Sequence, residues 1–377
     1  MKALLAATIT ACLALTPAAG AQQRSDGLRA MLAHLPAELF ETGEWADIYY
    51  TDIGAARVGV ARDAEMMLEA MIEDGYVGHY MRAMGLPHEM TSSFGLGLDG
   101  QWQPLIGFGP QDIARSLTWA ALPAQISLLE MASTADFDVM AETLQANDYT
   151  AEERGDWTML WWGEDDMRIN LDALNPANPF GGRLGRSSRL ALQAPYLSYA
   201  PAWPLIDRVV GGPDRTAADL PALSALLDVL DDQRFGETRL VNVMVLPVQL
   251  ADVEMPGAPP AELGIPRWRV GLFADLSTGT TDHGIAAFAY DSAKDASDAA
   301  AAIEAAWNDP GSPGFHEAHR TAGTGTVYVT SAGDGVSVAV LAIERDMAGI
   351  EDMPYNLPYR RFVDGQMRGD LSIFGPN

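Results

Sequence analysis

The six residues WTMLWW constrain the fold of this chain more than any other segment. Trp157, Met159 and Trp161 fall on one face of an extended segment, and Leu160 and Trp162 fall on the other. Both faces are therefore apolar. A strand with two apolar faces is buried on both sides. We expect a central strand here rather than an edge strand.

A loop rich in turn-forming residues follows this strand. Two Asn-Pro dipeptides and three glycines lie within residues 175–185. Proline forces the residue before it into an extended conformation, and asparagine favours turns. Glycine permits positive φ angles and close backbone approach. We therefore predict a loop of defined shape over residues 175–189.

Three arginines make this loop a candidate ligand site. Arg183, Arg186 and Arg189 follow one another at three-residue intervals. Guanidinium groups beside free backbone amides bind carboxylate, sulfate or phosphate, so the loop is a candidate anion cradle. The alternative is that the arginines pair with the acidic run at residues 164–166 and tie the loop to its own fold. The candidate ligand-binding residues are Asn178, Gly181, Gly182, Arg183, Arg186, Ser187, Ser188 and Arg189.

Histidines in two places are candidate metal ligands. His316 and His319 stand three residues apart and could share one side of a helical turn, although a zinc site would need a third ligand. His79 and His88 lie in a methionine-rich segment, and thioether and imidazole groups together suit copper, particularly Cu(I). The alternatives are core packing for the methionines and a solvated surface position for the His316/His319 pair. Apart from copper or zinc, the sequence indicates no cofactor.

The first 21 residues have the pattern of a secretory signal peptide. Lys2 supplies the positive end, residues 3–15 the apolar core and residues 19–21 a small-residue cleavage site. We therefore expect a periplasmic or secreted protein. The single cysteine, Cys12, would be lost with this peptide, which excludes disulfides and thiol chemistry from the mature chain. The alternative is a lipoprotein in which Cys12 carries the lipid.

The charge of the chain excludes some classes of partner. The formal net charge of −27 becomes −28 when Lys2 is removed with the signal peptide. Nucleic-acid binding needs a basic footprint for the phosphates, and the chain has none at the scale of a domain, so we expect no nucleic-acid partner. Anionic membrane surfaces are disfavoured for the same reason. No later apolar run approaches the roughly 18 residues of a membrane helix, so we expect a soluble mature protein without membrane insertion.

The order of predicted strands and helices indicates an α+β fold. A strand, a helix and two further strands follow one another twice, beginning with a strand at 126–131 in the first case and with a strand at 285–290 and a helix at 293–307 in the second. Each β-α-β-β unit matches a ferredoxin-like half, with a mainly antiparallel sheet and helices on one face. A helical segment precedes the first half, and we also predict a helix at 110–121, with proline in its first turn. The predicted units are a signal peptide at 1–21, an α+β half at 22–246, a Pro-rich linker at 247–266 and a second half at 267–377.

These observations lead to a non-enzymatic exported binding or accessory protein that uses the loop at 175–189 for a small anionic ligand or a protein partner. We assign no catalytic residue, because Ser187 and Ser188 lack a Gly-x-Ser-x-Gly elbow and no histidine–carboxylate pair is singled out for them. One alternative is an extracytoplasmic hydrolase that uses these serines or the His316/His319 pair. Another is a copper- or zinc-binding protein.

Overall fold

A computed structural model describes residues 23–41, 46–58, 86–165, 167–247, 264–309, 323–332, 335–347, 356–368 and 374. The strands in these residues are β1 (Asp47–Asp52), β2 (Ile113–Ala121), β3 (Ala124–Met131), β4 (Thr150–Arg154), β5 (Trp157–Trp162), β6 (Ser188–Gln193), β7 (Tyr196–Ala200), β8 (Arg239–Leu246), β9 (Val270–Ser277), β10 (Thr281–Tyr290), β11 (Thr324–Ser331) and β12 (Ser337–Asp346). The helices are α1 (Asp26–Leu32), α2 (Ile53–Val58), α3 (His88–Leu98), α4 (Gln103–Ile106), α5 (Phe137–Ala146), α6 (Trp203–Val210), α7 (Pro221–Leu230), α8 (Ala293–Asn308) and α9 (Leu357–Arg368). Short 3-10 helices lie at Ala37–Phe40, Pro110–Asp112, Leu171–Ala173, Gly182–Leu184, Ala217–Asp219 and Gln233–Phe235.

The twelve strands form one antiparallel sheet in the order β11-β12-β10-β9-β8-β1-β2-β3-β7-β6-β5-β4. At its centre β1 pairs with β8, and Tyr49 lies opposite Met244. The protein is therefore α+β, but the prediction of two ferredoxin-like halves is wrong. The strands β1 and β8 satisfy each other's backbone groups, so the two parts of the chain share one continuous sheet.

Helices cover both faces of this sheet. The front face carries α1, α6 and α7. The back face carries α3, α4 and α5 over the first part of the sheet, and α8 and α9 over the second. The prediction of helices on one face is therefore wrong. The reason is visible in β9, where every residue is buried, because a strand with two apolar faces needs a layer on each side.

A plan of five strands and one helix recurs along the chain in a form that the sequence did not indicate. In the first half, β1, β2 and β3 are followed by α5 and the hairpin β4-β5. In the second half, β8, β9 and β10 are followed by α8 and the hairpin β11-β12. Outward from the centre, the second half has the order β8-β9-β10-β12-β11. The first half has the same order once the hairpin β6-β7, which stands between β3 and β5, is set aside.

The helix predicted at 110–121 is wrong beyond its first turn. Pro110–Asp112 is a 3-10 turn, and β2 follows it directly. Leu117 pairs with Tyr50 of β1 on one side and with Leu128 of β3 on the other. Pairing with two strands overrides the local preference, because strand formation depends strongly on neighbours.

Two of the predicted units fall largely outside the described residues. Residues 1–21, the predicted signal peptide, are not among them, and neither is most of the predicted linker at 247–266. The strands on either side of that linker, β8 and β9, pair with each other. None of the described helices is both long and apolar enough to cross a membrane.

Candidate functional site

The predicted loop at 175–189 is too long at its end, because Ser188 and Arg189 are the first residues of β6. The connection from β5 to β6 comprises residues 163–187 and lies at one end of the sheet. We call this segment the arginine loop. The backbone N–H of Asn170 donates to the carbonyl of Leu184 at 3.0 Å, and that of Asn175 donates to the carbonyl of Gly182 at 2.8 Å. These bonds join the outgoing and returning arms of the loop. The main chain therefore fixes the shape of the loop.

Two glycines allow the returning arm to turn tightly. Gly181 has a φ angle of 82° and Gly185 one of 60°, both in the left-handed region that favours glycine. A Cβ atom on Gly185 would lie 1.9 Å from the carbonyl oxygen of Asn170. The positive φ angles and the close backbone approach that the sequence predicts are therefore both present.

Arg186 anchors the arginine loop to two distant elements. Its Nη2 donates to the carbonyl of Pro123, in the turn between β2 and β3, at 2.8 Å. Its Nη1 lies 3.4 Å from Oε1 of Glu89 in α3. The side chains of Arg186 and Glu89 are both buried. Because a buried charge is stable only when it is paired, each of these two residues depends on the other.

Arg189 holds the outgoing arm of the loop against β6. Its guanidinium donates to the carbonyls of Trp162 at 2.9 Å and Gly163 at 3.2 Å. Its Nη2 also lies 3.7 Å from Asp165, one of the acidic residues that we predicted as a partner. The guanidinium is 5.3 Å from the ring centroid of Trp203, at cation–π distance. Every one of these contacts is internal to the fold.

The three arginines do not converge on one point. Arg189 contacts Trp203 at the start of α6 on the front face, whereas Arg186 contacts Glu89 of α3 on the back face. An interval of three residues along an extended chain places side chains on opposite faces. Arg183 precedes both in the chain and is exposed. The three guanidiniums therefore do not form a single cradle.

Some of the predicted ligand residues instead meet a buried tyrosine on the back face. The side-chain amide of Asn178 donates to the hydroxyl of Tyr149 at 3.3 Å. Burial raises the pKa of Tyr149, while hydrogen bonds with Ser188 and Asn178 act in the opposite direction. The phenol is neutral at ordinary pH and serves as a hydrogen-bonding group.

A second tyrosine lies beside the glycine turn. A Cβ atom on Gly181 would lie 3.2 Å from the hydroxyl oxygen of Tyr199. Burial raises the pKa of Tyr199 well above its ordinary value, the charge of Glu89 raises it further, and that of Arg186 lowers it. Sequence reasoning missed Glu89, Tyr149 and Tyr199, because nothing in their local sequence indicates that they approach the loop.

The serines that a hydrolase would use are committed to the fold. Ser187 donates its hydroxyl to the carbonyl of Pro201 at 2.7 Å, and Ser188 is buried beside Tyr149. The histidines whose side chains are described, His34 and His283, contact the rings of Tyr196 and Phe235 instead. Within the described side chains, the structure therefore provides no nucleophile–base pair at these serines.

The predicted metal ligands are not placed by the structure. His79, His316 and His319 lie outside the described residues, and only the backbone of His88 is described, at the start of α3. Across the part of the chain that is described, no group of three or more histidine, cysteine, aspartate or glutamate side chains has a geometry suited to a metal ion.

The outgoing arm of the arginine loop exposes three large apolar side chains that sequence reasoning also missed. Ile169, Leu171 and Leu174 are 59%, 71% and 48% exposed, and we call these residues the apolar tip. Leu122, which is 65% exposed, lies next to the residue that Arg186 contacts in the β2-β3 turn. A signal for the apolar tip was present in the sequence, because its residues stand in a turn-rich segment without a helical or strand period.

Comparisons with known proteins add little to this description. No protein-family model matches the chain, and no curated protein matches it. A solved structure described as "Structure of crystal form I of TP0453" is similar over 85% of this chain and 96% of that chain, with 8% sequence identity and a TM-score of 0.34. At that TM-score the similarity supports no conclusion about fold or function.

Proposed function

We propose that this protein is an exported, non-enzymatic binding or accessory protein that holds a protein partner on the apolar tip of the arginine loop. The observation that supports this function most strongly is the exposure of Ile169, Leu171 and Leu174 on a backbone that hydrogen bonds keep in place. Several large apolar side chains exposed within one short stretch of an ordered loop are typical of interaction sites.

Their burial by a partner would also supply binding free energy. Removing apolar surface from water contributes about 25 cal/mol per Å², so a few leucine-sized side chains can form the centre of an interface. A loop whose conformation is already fixed loses little entropy on binding. The arginine loop combines these two properties.

A protein partner is favoured over a small anion by the positions of the arginines. Arg186 and Arg189 are buried and engaged with Glu89, with backbone carbonyls and with Trp203. Of the three arginines, Arg183 alone is exposed. With two of the three guanidiniums buried and engaged within the fold, the predicted cradle retains little of its anion-binding capacity. The buried arginines instead hold in place the backbone of the loop that exposes the proposed partner surface.

The charge of the protein indicates what the partner carries around its apolar contact. The chain has a formal net charge of −27, whereas the exposed charges of the arginine loop are of both signs and include Glu164, Asp172, Arg168 and Arg183. Complementary potentials increase association rates and exclude partners of like charge. We therefore propose a partner with an apolar patch inside a basic rim.

Site-specific photo-crosslinking in cells that produce the full chain tests this function. The photoreactive residue p-benzoylphenylalanine replaces Leu171 in one variant and Val139 in a control variant. Val139 is an exposed apolar residue on α5 and does not belong to the loop. We expect a discrete protein adduct from position 171 and none from position 139.

A further variant tests whether the adduct depends on the apolar side chains near position 171. Combining the photoreactive residue at position 171 with Ile169→Asp and Leu174→Asp should abolish the adduct, because the remaining apolar contact is removed. Equal labelling from positions 171 and 139, an adduct that survives both aspartates, or labelling of lipid alone would contradict the proposal.

A further inference from the structure

The two edges of the sheet differ in a property that decides whether another strand can pair with them. The edge strand β4 carries Glu152, Glu153 and Arg154 among its five residues. The opposite edge strand, β11, has the sequence TGTVYVTS and carries no charged side chain. Charges on an edge strand discourage pairing with another chain, and an uncharged, β-branched edge permits it.

The outer side of β11 is available within the described part of the chain. β11 pairs with β12 and stands at the end of the strand order, and no described residue pairs with its other side. In an antiparallel pair, part of the backbone N–H and C=O groups of an edge strand point away from the partner strand. These groups are the template for strand addition.

A groove of about 500 Å³ lies beside this edge on the front face of the sheet. The 3-10 helix Gln233–Phe235 forms one wall, and β10, β12 and β11 form the floor. On β11 the groove is lined by Thr324, Thr326 and Tyr328, which alternate along one face of the strand. A strand added to β11 would place its own alternate side chains beside them.

The two ends of the groove differ in charge. At one end, the guanidinium of Arg234 lies 3.5 Å from the ring centroid of Tyr328, and its Nε lies 3.0 Å from Asp232. That cation is already compensated. At the other end, the carboxylate of Glu344 is exposed and is not paired with any cation of the described residues. Glu344 is therefore the carboxylate of the groove lining that has no ion-pair partner among the described residues.

A single cross-strand row connects that charge to the edge. Glu344 of β12 lies directly opposite Thr324 of β11 on one side and His283 of β10 on the other. Burial lowers the pKa of His283 and outweighs the opposite effect of the Glu344 charge, so the imidazole is neutral near pH 7 and supplies no counter-charge to Glu344. The next row along β11 pairs Thr326 with Ala342, which is small and apolar.

We propose that β11 and this groove bind an extended peptide segment of a partner by strand addition, with a lysine or arginine opposite Thr324 and an apolar residue opposite Thr326. Strands lie about 4.8 Å apart, so the added strand would be about 10 Å from β12. A lysine or arginine has a long enough stem to cross the short side chain of Thr324 and reach Glu344. This inference concerns the opposite edge of the sheet from the arginine loop and does not depend on the function proposed for that loop.

A library of random 12-residue peptides displayed on phage, selected against the full chain, tests the proposal. We expect the enriched peptides to share a lysine or arginine that stands two residues away from an apolar residue. A fluorescent synthetic copy of the most enriched peptide then gives dissociation constants by anisotropy, and hydrogen exchange shows which amides it protects. We expect the peptide to protect the amides of β11.

Three variants separate edge pairing from nonspecific attraction. Glu344→Gln should weaken binding about two- to fivefold, as loss of one partly exposed ion pair does. Thr326→Arg, which places a charge on the edge, should abolish binding. Thr150→Arg makes the same exchange on the opposite edge strand β4 and should leave binding unchanged.

The proposal is overturned if the library yields no binder, if basic residues are not enriched, or if the bound peptide protects amides elsewhere. It is also overturned if Thr150→Arg weakens binding as much as Thr326→Arg does. That result would show a general charge effect instead of pairing at β11.

Discussion

The two halves of the sheet share one plan and differ in one segment. Outward from the centre, β1-β2-β3 in the first half corresponds to β8-β9-β10 in the second, and each is completed by a helix and a hairpin. Only the first half adds β6-β7 and the arginine loop that leads into them. The added hairpin separates β3 from β5, where the second half pairs β10 directly with β12.

The segment that only the first half adds contains the features proposed to bind a partner. The arginine loop, the buried pair of Arg186 with Glu89, and the apolar tip all belong to the added segment or to its contacts. The helices α5 and α8 occupy the same face in both halves, where α5 buries Met140 and Leu144 and α8 buries an alanine-rich row around Ile303. The common plan therefore provides the scaffold, and the added segment provides the proposed partner surface.

The largest effect on stability is expected at Arg186, which anchors the segment that only the first half contains. The variant Arg186→Met leaves Glu89 buried without a counter-charge and should lower the free energy of unfolding by about 3–5 kcal/mol. Urea denaturation measures this loss. The double variant Arg186→Met/Glu89→Gln should be more stable than Arg186→Met alone.

The matched control for this prediction is Arg183→Met. Arg183 is exposed on the same loop, so the change should stay within about 0.5 kcal/mol. Equal losses at Arg183 and Arg186 would mean that the added segment is not anchored through its buried arginine.

A smaller effect is expected at the glycine turn, and the first half contains its own control. Gly185 and Gly155 have φ angles of 60° and 63°, but only Gly185 has a backbone atom where a Cβ would lie. Gly155→Ala should destabilise the protein by about 1–2 kcal/mol through left-handed strain alone. Gly185→Ala should destabilise it more, because the carbonyl of Asn170 must also move. Thermal unfolding of both variants measures these losses. Equal shifts in melting temperature would contradict the close approach of Gly185 to the carbonyl of Asn170.

We expect acid to destabilise both halves of the protein. Burial lowers the pKa of His34 in the first half and of His283 in the second. The unfolded chain therefore takes up these protons first, and stability should fall below about pH 6.5, by at most about 1.4 kcal/mol per pH unit for each histidine.

The replacements His34→Gln and His283→Gln test this prediction separately. Each should reduce the loss of stability between about pH 7 and about pH 5.5, as followed by urea denaturation at several pH values. A steeper loss in either variant would contradict the assigned direction of the pKa shift.

The smallest effect on stability is expected at the apolar tip. The triple variant Ile169→Ser/Leu171→Ser/Leu174→Ser removes exposed side chains, so the free energy of unfolding should change by no more than about 0.5 kcal/mol. Urea denaturation measures this change. A large loss would show that these side chains support the fold, and the difference between the halves would then be structural instead of functional.

Local patterns in the sequence were sufficient to predict several strands and one helix. The strands predicted at 126–131 and 285–290 are present as β3 and β10, and the helix predicted at 293–307 is present as α8. Ser292 caps that helix by accepting from the N–H of Asp295. Each of these elements is specified by residues close together in the chain, so its pattern is readable without the fold.

The joining of the halves and the anchoring of the loop depend on partners far apart in the chain. No local signal indicates that β1 pairs with β8, or that Arg186 meets Glu89 and Pro123. The sequence therefore predicted the glycine turn of the arginine loop but not the burial of its arginines.

We expect the arginine loop to be ordered before any partner binds. Hydrogen exchange of the free protein, resolved at single amides by NMR, tests it most directly. The N–H groups of Asn170, Asn175 and Arg186 are hydrogen-bonded across the loop, and we predict that they exchange slowly, like those of β6. In Arg186→Met these three amides should exchange faster, while those of β10 should change little. Exchange at the rate of an unstructured peptide in the unmodified protein would contradict the claim.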